Sequence, residues 1–153
     1  MSEGLVKIKI VLPGSDWYAF KTETIWAEVL GNNLYKLKNA PFFADNISYG
    51  DIVFAVETEN NDGLLFKSIR QRSTNSTYRV MLAGDTTLDK FNEMVQPLVD
   101  MGCTYAGYKD YQFALNVPAT ADVQYADELL KKGEQDGYWF YEASHRYDGD
   151  EQL

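Results

Sequence analysis

With 153 residues, 45% of them hydrophobic and 14% aromatic, the chain has enough apolar material for one domain or two small ones packed together, and too much for a disordered protein. Its net charge of −9 is lopsided: residues 1–76 hold eight Lys/Arg against nine Asp/Glu and residues 77–153 six against fourteen, so the halves carry −1 and −8, and an acidic surface of that kind argues against nucleic-acid binding because it repels a phosphate backbone. No apolar stretch approaches the roughly 20 residues that span a membrane, Lys7 and Lys9 interrupt any signal-like run at residues 1–9, and the one cysteine, Cys103, can form no internal disulfide, so the expected setting is a reducing cytoplasm with no membrane partner.

Val6, Ile8, Ile10 and Leu12 alternate with Lys7 and Lys9, the pattern of a half-buried strand, and Pro13-Gly14-Ser15 stops it. Residues 20–30 are rich in Thr, Ile, Trp and Val and read as a long strand. Gly31-Asn32-Asn33 turns the chain back into residues 34–37 as a hairpin. Asn39-Ala40-Pro41-Phe42-Phe43 opens a loop with two exposed-looking aromatics, Phe42 and Phe43. After the turn Tyr49-Gly50-Asp51, residues 52–58 form the next strand, and Asn60-Asn61-Asp62-Gly63 turns it into its partner at 64–72. Five strands without a helix predict a small barrel-like first half.

The pattern changes at Ser73-Thr74-Asn75-Ser76-Thr77, which places a boundary between a barrel-like subdomain at 1–75 and a second subdomain at 76–153. Residues 78–83 read as a strand, and Gly84-Asp85-Thr86-Thr87 offers helix caps. Leu88, Phe91, Val95 and Leu98 recur at helical spacing, with Pro97 expected to kink or weaken the last turns and Gly102 to end them. A hairpin at 104–108 and 112–117 turns around Lys109-Asp110. A second helix is capped by Asp122, faces inward through Val123, Ala126, Leu129 and Leu130, tolerates Gly133 and closes at Gly137. Residues 138–143 form the last strand, and the tail from Arg146 is polar and expected to fray. Strand–helix–strand–strand–helix–strand is the order of the ferredoxin-like split βαβ. The expected fold class is therefore α+β, a small β-barrel-like half followed by a ferredoxin-like half.

There is no glycine-rich phosphate loop and no G-x-S-x-G elbow. One histidine and one cysteine cannot supply the four N/S ligands of a structural zinc. No catalytic residue, metal ligand or cofactor is assigned, and the chain reads as non-enzymatic. His145 is expected to be a terminal surface histidine and Cys103 a buried structural thiol. Asp148-Gly149-Asp150-Glu151 resembles the start of a calcium loop but lacks the later ligands, and reads as a solvated tail.

The most localised cluster is basic: Lys67, Arg70, Arg72 and Arg79 flank the hydroxyl-rich run at 73–77. Arg70 and Arg72 fall on one face of a strand. With Tyr49, Asp51, Ser73 and Arg79, Arg70 and Arg72 form a candidate ligand-binding group at the junction of the two halves, able to hold an anion or a carboxylate; the same arginines could instead pair with the acidic half. Phe42, Phe43 and Tyr49 are either an interface anchor or a plug over the barrel end.

Several blocks carry a resemblance. Ile25-Trp26-Ala27-Glu28, Leu34 through Ala44, Ser48-Tyr49-Gly50-Asp51-Ile52-Val53, Arg70 through Val80, Leu115-Asn116-Val117-Pro118 and Gly137-Tyr138-Trp139-Phe140-Tyr141-Glu142 resemble the bacterial domain of unknown function family 4265, in order, over residues 24–142. That family carries no established activity, so the resemblance implies a bacterial origin and the unity of the chain. The second half also resembles, by pattern and charge, the fold of the regulator of ribonuclease activity B, a small acidic inhibitor that binds a nuclease. These observations lead to an expected acidic binding protein, of the immunity or inhibitor type, whose partner is a basic protein such as a nuclease toxin. Asp89, Glu93, Asp100, Asp127 and Glu128 on the two helices are its expected partner-binding residues. The alternative is a small-ligand-binding protein or an unrecognised enzyme with its site at the junction.

Overall fold

The computed structural model describes residues 4–12, 21–59, 63–109 and 111–147. These fall into two compact units, one ending at Ser73 and one spanning Thr74–Tyr147. The turn residues 13–15, 60–62 and 110, the first residue of the predicted second strand and the tail from residue 148, with its calcium-like run, lie outside the described residues.

The first unit contains β1 (Leu5–Val11), β2 (Thr22–Gly31), β3 (Leu34–Leu37), β4 (Ile52–Glu57) and β5 (Leu64–Gln71). Each pairs antiparallel with the next. The seam between β5 and β1 is parallel, through Ile8↔Leu64 and Lys9↔Leu65, so the strands close into a ring. An odd number of meandering strands can close only with one parallel seam, because the last strand runs in the same direction as the first. Period-two alternation aims Ile8, Ile10, Ile25, Ala27, Tyr35, Leu37, Val53 and Ala55 inward, and all are buried. Between β2 and β3, Asn32 and Asn33 both take positive φ, +59° and +64°. Asparagine tolerates that region, and a turn of this hand matches the twist of the flanking strands.

Two irregularities shape β5. Ile52 faces Gln71 while Val53 faces Ile69, which leaves Arg70 as an extra residue; Phe54 faces Ser68 while Ala55 faces Phe66, which leaves Lys67 extra. Each bulge resets the alternation, so Ile69, Phe66 and Leu64 all stay on the inward side. The expectation that Arg70 and Arg72 share one strand face is corrected here: the strand ends at Gln71, and the bulge at Arg70 breaks the alternation.

The second unit contains β6 (Ser76–Leu82), α1 (Leu88–Asp100), β7 (Thr104–Tyr108), β8 (Gln112–Val117), α2 (Val123–Gln135) and β9 (Trp139–His145). Its sheet has the order β7-β8-β6-β9 with every neighbour antiparallel. Tyr78, Val80, Phe113, Leu115, Val117 and Trp139 meet Phe91, Val95 and Leu98 of α1 and Ala126 and Leu130 of α2 in one apolar core. Phe91 stacks on Phe113 at 4.4 Å and meets Trp139 edge-on at 5.8 Å, both favourable arrangements of aromatic quadrupoles. Thr87 Oγ1 caps α1 by accepting from the Lys90 N–H (3.1 Å), and Asp122 Oδ1 caps α2 by accepting from the Tyr125 N–H (3.1 Å). The α1 helix runs through Pro97 to Asp100, although proline offers no N–H to the Glu93 carbonyl. Gly102, at φ +103°, then ends it.

Three expectations about this unit are corrected. The strand expected at 78–83 starts earlier, since β6 begins at Ser76; Ser76 and Thr77 are buried and pair with Val117 and Asn116. His145 is no surface residue: β9 extends to it, it lies opposite Thr77, and it is 6% exposed. Gly133 is more than tolerated. A Cβ there would sit 2.0 Å from Trp139 Cζ2, so the indole ring occupies the space a side chain would need.

Candidate functional site

Four of the six predicted ligand residues come together in the first unit. Asp51 is fully buried at the foot of β4. Its Oδ2 accepts from the Ser48 N–H (2.9 Å) and its Oδ1 from the Ser73 N–H (2.8 Å). Arg72 Nη1 lies 3.8 Å from Oδ2 and donates to the Asn46 carbonyl (2.7 Å). The Ser73 hydroxyl donates to the Tyr49 carbonyl (2.7 Å). A buried carboxylate is retained only where N–H donors and a counter-charge replace water, and here both come from the chain itself. The arrangement ties residues 46–51 to the end of β5. Arg70 has other company: it is exposed, with its guanidinium 4.7 Å over the Phe54 ring, a cation–π pair.

A second carboxylate does similar work and was invisible in the sequence. Glu23 stands on β2 in the inward row with Ile25 and Ala27. It is 8% exposed, and it accepts from three consecutive amides: Phe42 N–H (2.6 Å), Phe43 N–H (3.0 Å) and Ala44 N–H (2.8 Å). The only available signal was an acid at an otherwise apolar period-two position. With its amides so engaged, the loop after β3 turns Phe43, Ala44 and Ile47 inward. This corrects the expectation of two exposed aromatics. Phe43 is buried and only Phe42 keeps partial exposure, which favours the plug over the anchor.

The sixth residue, Arg79, belongs to the second unit and is 2% exposed. It lies directly across from Glu142 on β9 and binds that carboxylate through Nε (2.7 Å) and Nη2 (2.6 Å). Charge-assisted double contact to one carboxylate is a strong, directional arrangement.

The five predicted partner-binding residues divide. Asp89, Glu93 and Asp100 are exposed on α1, and with Gln96 they fall within about 60° of one another at 100° per residue. The opposite side of the helix carries the buried Phe91, Val95 and Leu98. Gln96 Nε2 donates to Asp100 (2.8 Å). Glu128 is exposed on α2 and accepts from Gln124 (3.2 Å). Asp127 departs from the expectation: its carboxylate accepts from the Tyr78 hydroxyl and from Arg146 Nε (2.6 Å), and so braces β6 against α2 and the segment after β9. Burial, with the Asp127 carboxylate, pushes the Tyr78 phenol well above its ordinary pKa. Burial alone pushes the Cys103 thiol up to about 11, the opposite of an activated nucleophile.

Among the described residues no group of three or more His, Cys, Asp and Glu side chains is placed to hold a metal ion, and no helix is long and apolar enough to cross a membrane. A crystal structure of a hypothetical protein from Neisseria gonorrhoeae has the same fold, with a TM-score of 0.79 and 14% identity, over 94% of this chain and 96% of that one. None of the curated proteins matches. The family described as Domain of unknown function (DUF4265) matches residues 23–141, a span that runs from the buried Glu23 to Tyr141 of β9, and the chain belongs to that family.

Proposed function

We propose that this protein is a non-enzymatic acidic binding module whose second unit docks a basic protein partner, in the manner of an inhibitor or immunity protein. The observation that carries the reading is the exposed stripe Asp89, Glu93 and Asp100 on one side of α1. Neither Asp89 nor Glu93 has an ion-pair partner among the described residues, so their charge is available to a partner. A stripe of one sign raises the encounter rate with an oppositely charged surface and lowers it for acidic competitors. The order β7-β8-β6-β9, with α1 and α2 as the two crossovers, supports reading this unit as a ferredoxin-like split βαβ, the frame in which the resemblance to the regulator of ribonuclease activity B was drawn. The ring of the first unit is read as a small barrel. Both are fold statements, and fold alone carries no activity. Asp127 is left out of the docking face because its carboxylate is engaged with Tyr78 and Arg146.

Affinity capture from the native host, washed at low and then high salt, tests the reading. Retention of a basic protein that weakens steeply with salt is expected, together with its loss when Asp89 and Glu93 are both changed to Lys. Capture of no basic protein, or binding indifferent to salt and to the charge reversal, would refute it.

A further inference from the structure

The two ends of the strand ring differ. One end, where Ile10 faces Glu23, receives the inward-turned segment with Phe43, Ala44 and Ile47 that Glu23 holds by its amides. The other end is formed by strand termini. There the start of β1, the end of β2, the start of β3, the end of β4 and the start of β5 surround a cavity of about 300 Å³ lined by Val6, Val29, Tyr35, Glu57, Gly63 and Leu64.

Alternation explains the chemistry of that lining. Val6 continues the inward row of Ile8 and Ile10, and Tyr35 that of Leu37. Glu57 continues the row of Val53 and Ala55, and lies across from Leu64. The bulge at Lys67 is what returns Phe66 and Leu64 to the inward side. The last interior layer of the ring is therefore apolar with one carboxylate in it, Glu57. Glu57 is exposed at the mouth and has no ion-pair partner among the described residues. This contrasts with the two other inward or buried acids of the unit, Glu23 and Asp51, whose oxygens accept backbone N–H groups.

From this geometry we infer that the open mouth of the ring is a binding site for a small organic cation, an ammonium group carried on a compact apolar body. Barrel mouths are recurrent ligand sites, and about 300 Å³ is at the small end of ligand pockets. The apolar lining takes the body by burial. The lone carboxylate beside it favours a positive head group and disfavours an anion. This site is independent of the docking face proposed for α1 and lies in the other unit.

The test uses the whole chain and 2-phenylethylammonium as probe, with 2-phenylethanol and 3-phenylpropanoate as neutral and anionic controls of similar size. Methyl resonances of Val6, Val29 and Leu64 are followed during titration. The expected result is saturable shifts at those methyls with the ammonium probe, and about tenfold or more weaker binding for both controls, the range a charge-assisted contact supplies. Glu57→Gln, a change at an exposed strand end, is expected to reduce the ammonium affinity to that of the neutral control. Leu64→Trp, which fills the mouth, is expected to abolish binding of all three. No saturable shift at those methyls would overturn the inference. So would equal binding of the three probes, or unchanged ammonium affinity in Glu57→Gln. None of these results bears on salt-dependent capture of a basic protein.

Discussion

Replacing Gly133 by alanine isolates one contact and has two opposed effects. Alanine is the better helix former by about 1 kcal/mol in an exposed helix interior, so propensity alone makes Gly133→Ala stabilising. Packing opposes it. The new Cβ would lie 2.0 Å from Cζ2, 2.3 Å from Cε2 and 2.7 Å from Cη2 of Trp139, against an ordinary separation near 3.5–4 Å. The indole cannot retreat freely: it is 1% exposed, it meets Phe91 edge-on, and its Nε1–H donates to the Leu130 carbonyl at 2.9 Å. Moving the ring or the helix enough to clear the methyl costs up to about 3 kcal/mol as overpacking, with about 1 kcal/mol more if the indole hydrogen bond is lost. Set against the propensity gain, the expected net loss is about 2–3 kcal/mol. Urea unfolding followed by far-ultraviolet circular dichroism measures it. Trp139→Phe removes the ring atoms that clash, so the double variant should lose clearly less than the two single losses together. A Gly133→Ala protein as stable as the parent, or a double variant whose losses simply add, would refute the packing argument.

Other consequences follow from the same contacts. Glu23→Ala strips three amides, those of Phe43 and Ala44 buried and that of Phe42 part-buried, of their acceptor and is expected to destabilise the first unit by about 3 kcal/mol, with amide hydrogen exchange at residues 42–44 accelerating first. Asp51→Asn is expected to cost about 2 kcal/mol in a denaturant titration because one of two N–H acceptors and the charge facing Arg72 are lost. Tyr78→Phe removes the hydroxyl from the Asp127 carboxylate while keeping the ring in the core; a loss of about 1–2 kcal/mol is expected, and no loss would show that Arg146 alone satisfies Asp127. Cys103, held at about 11 in the folded protein against 9.0 for an ordinary thiol, keeps its proton where the unfolded chain has released its own. Its contribution to stability is complete below pH 9 and falls away as the pH rises toward about 11. At pH 8 a thiol reagent should react with it only after urea unfolds the chain, and rapid labelling of the native protein would contradict its burial.

Among the described residues, the amino-acid order by itself determined which strands and helices form and in what order, because each signal for them is local. Alternation in β1 and β2, the Asn32-Asn33 turn, the Thr87 and Asp122 caps and the stop at Gly102 all act within a few residues. The family blocks were legible for the same reason. What lies at long range was decided by tertiary structure alone. The count of five strands led to the expected barrel-like half, but the parallel seam that joins Ile8 to Leu64 is a pairing no local pattern states. An acid on a strand looks the same in sequence whether it meets water or amides twenty residues away, so Glu23 passed unremarked. Asp51 was singled out as a ligand-binding residue at the junction of the halves, and only the folded chain shows that its carboxylate accepts from the Ser48 and Ser73 amides and lies beside Arg72. Strand bulges at Arg70 and Lys67 shift which side chains share a face; the hydrogen-bond register creates them, and residue spacing cannot report it. Likewise Gly133 and His145 took their meaning from neighbours, an indole ring and a buried strand end, that only the folded chain brings alongside. Local propensity wrote the list of elements, and non-local burial, which must satisfy every enclosed polar group at once, assigned their roles.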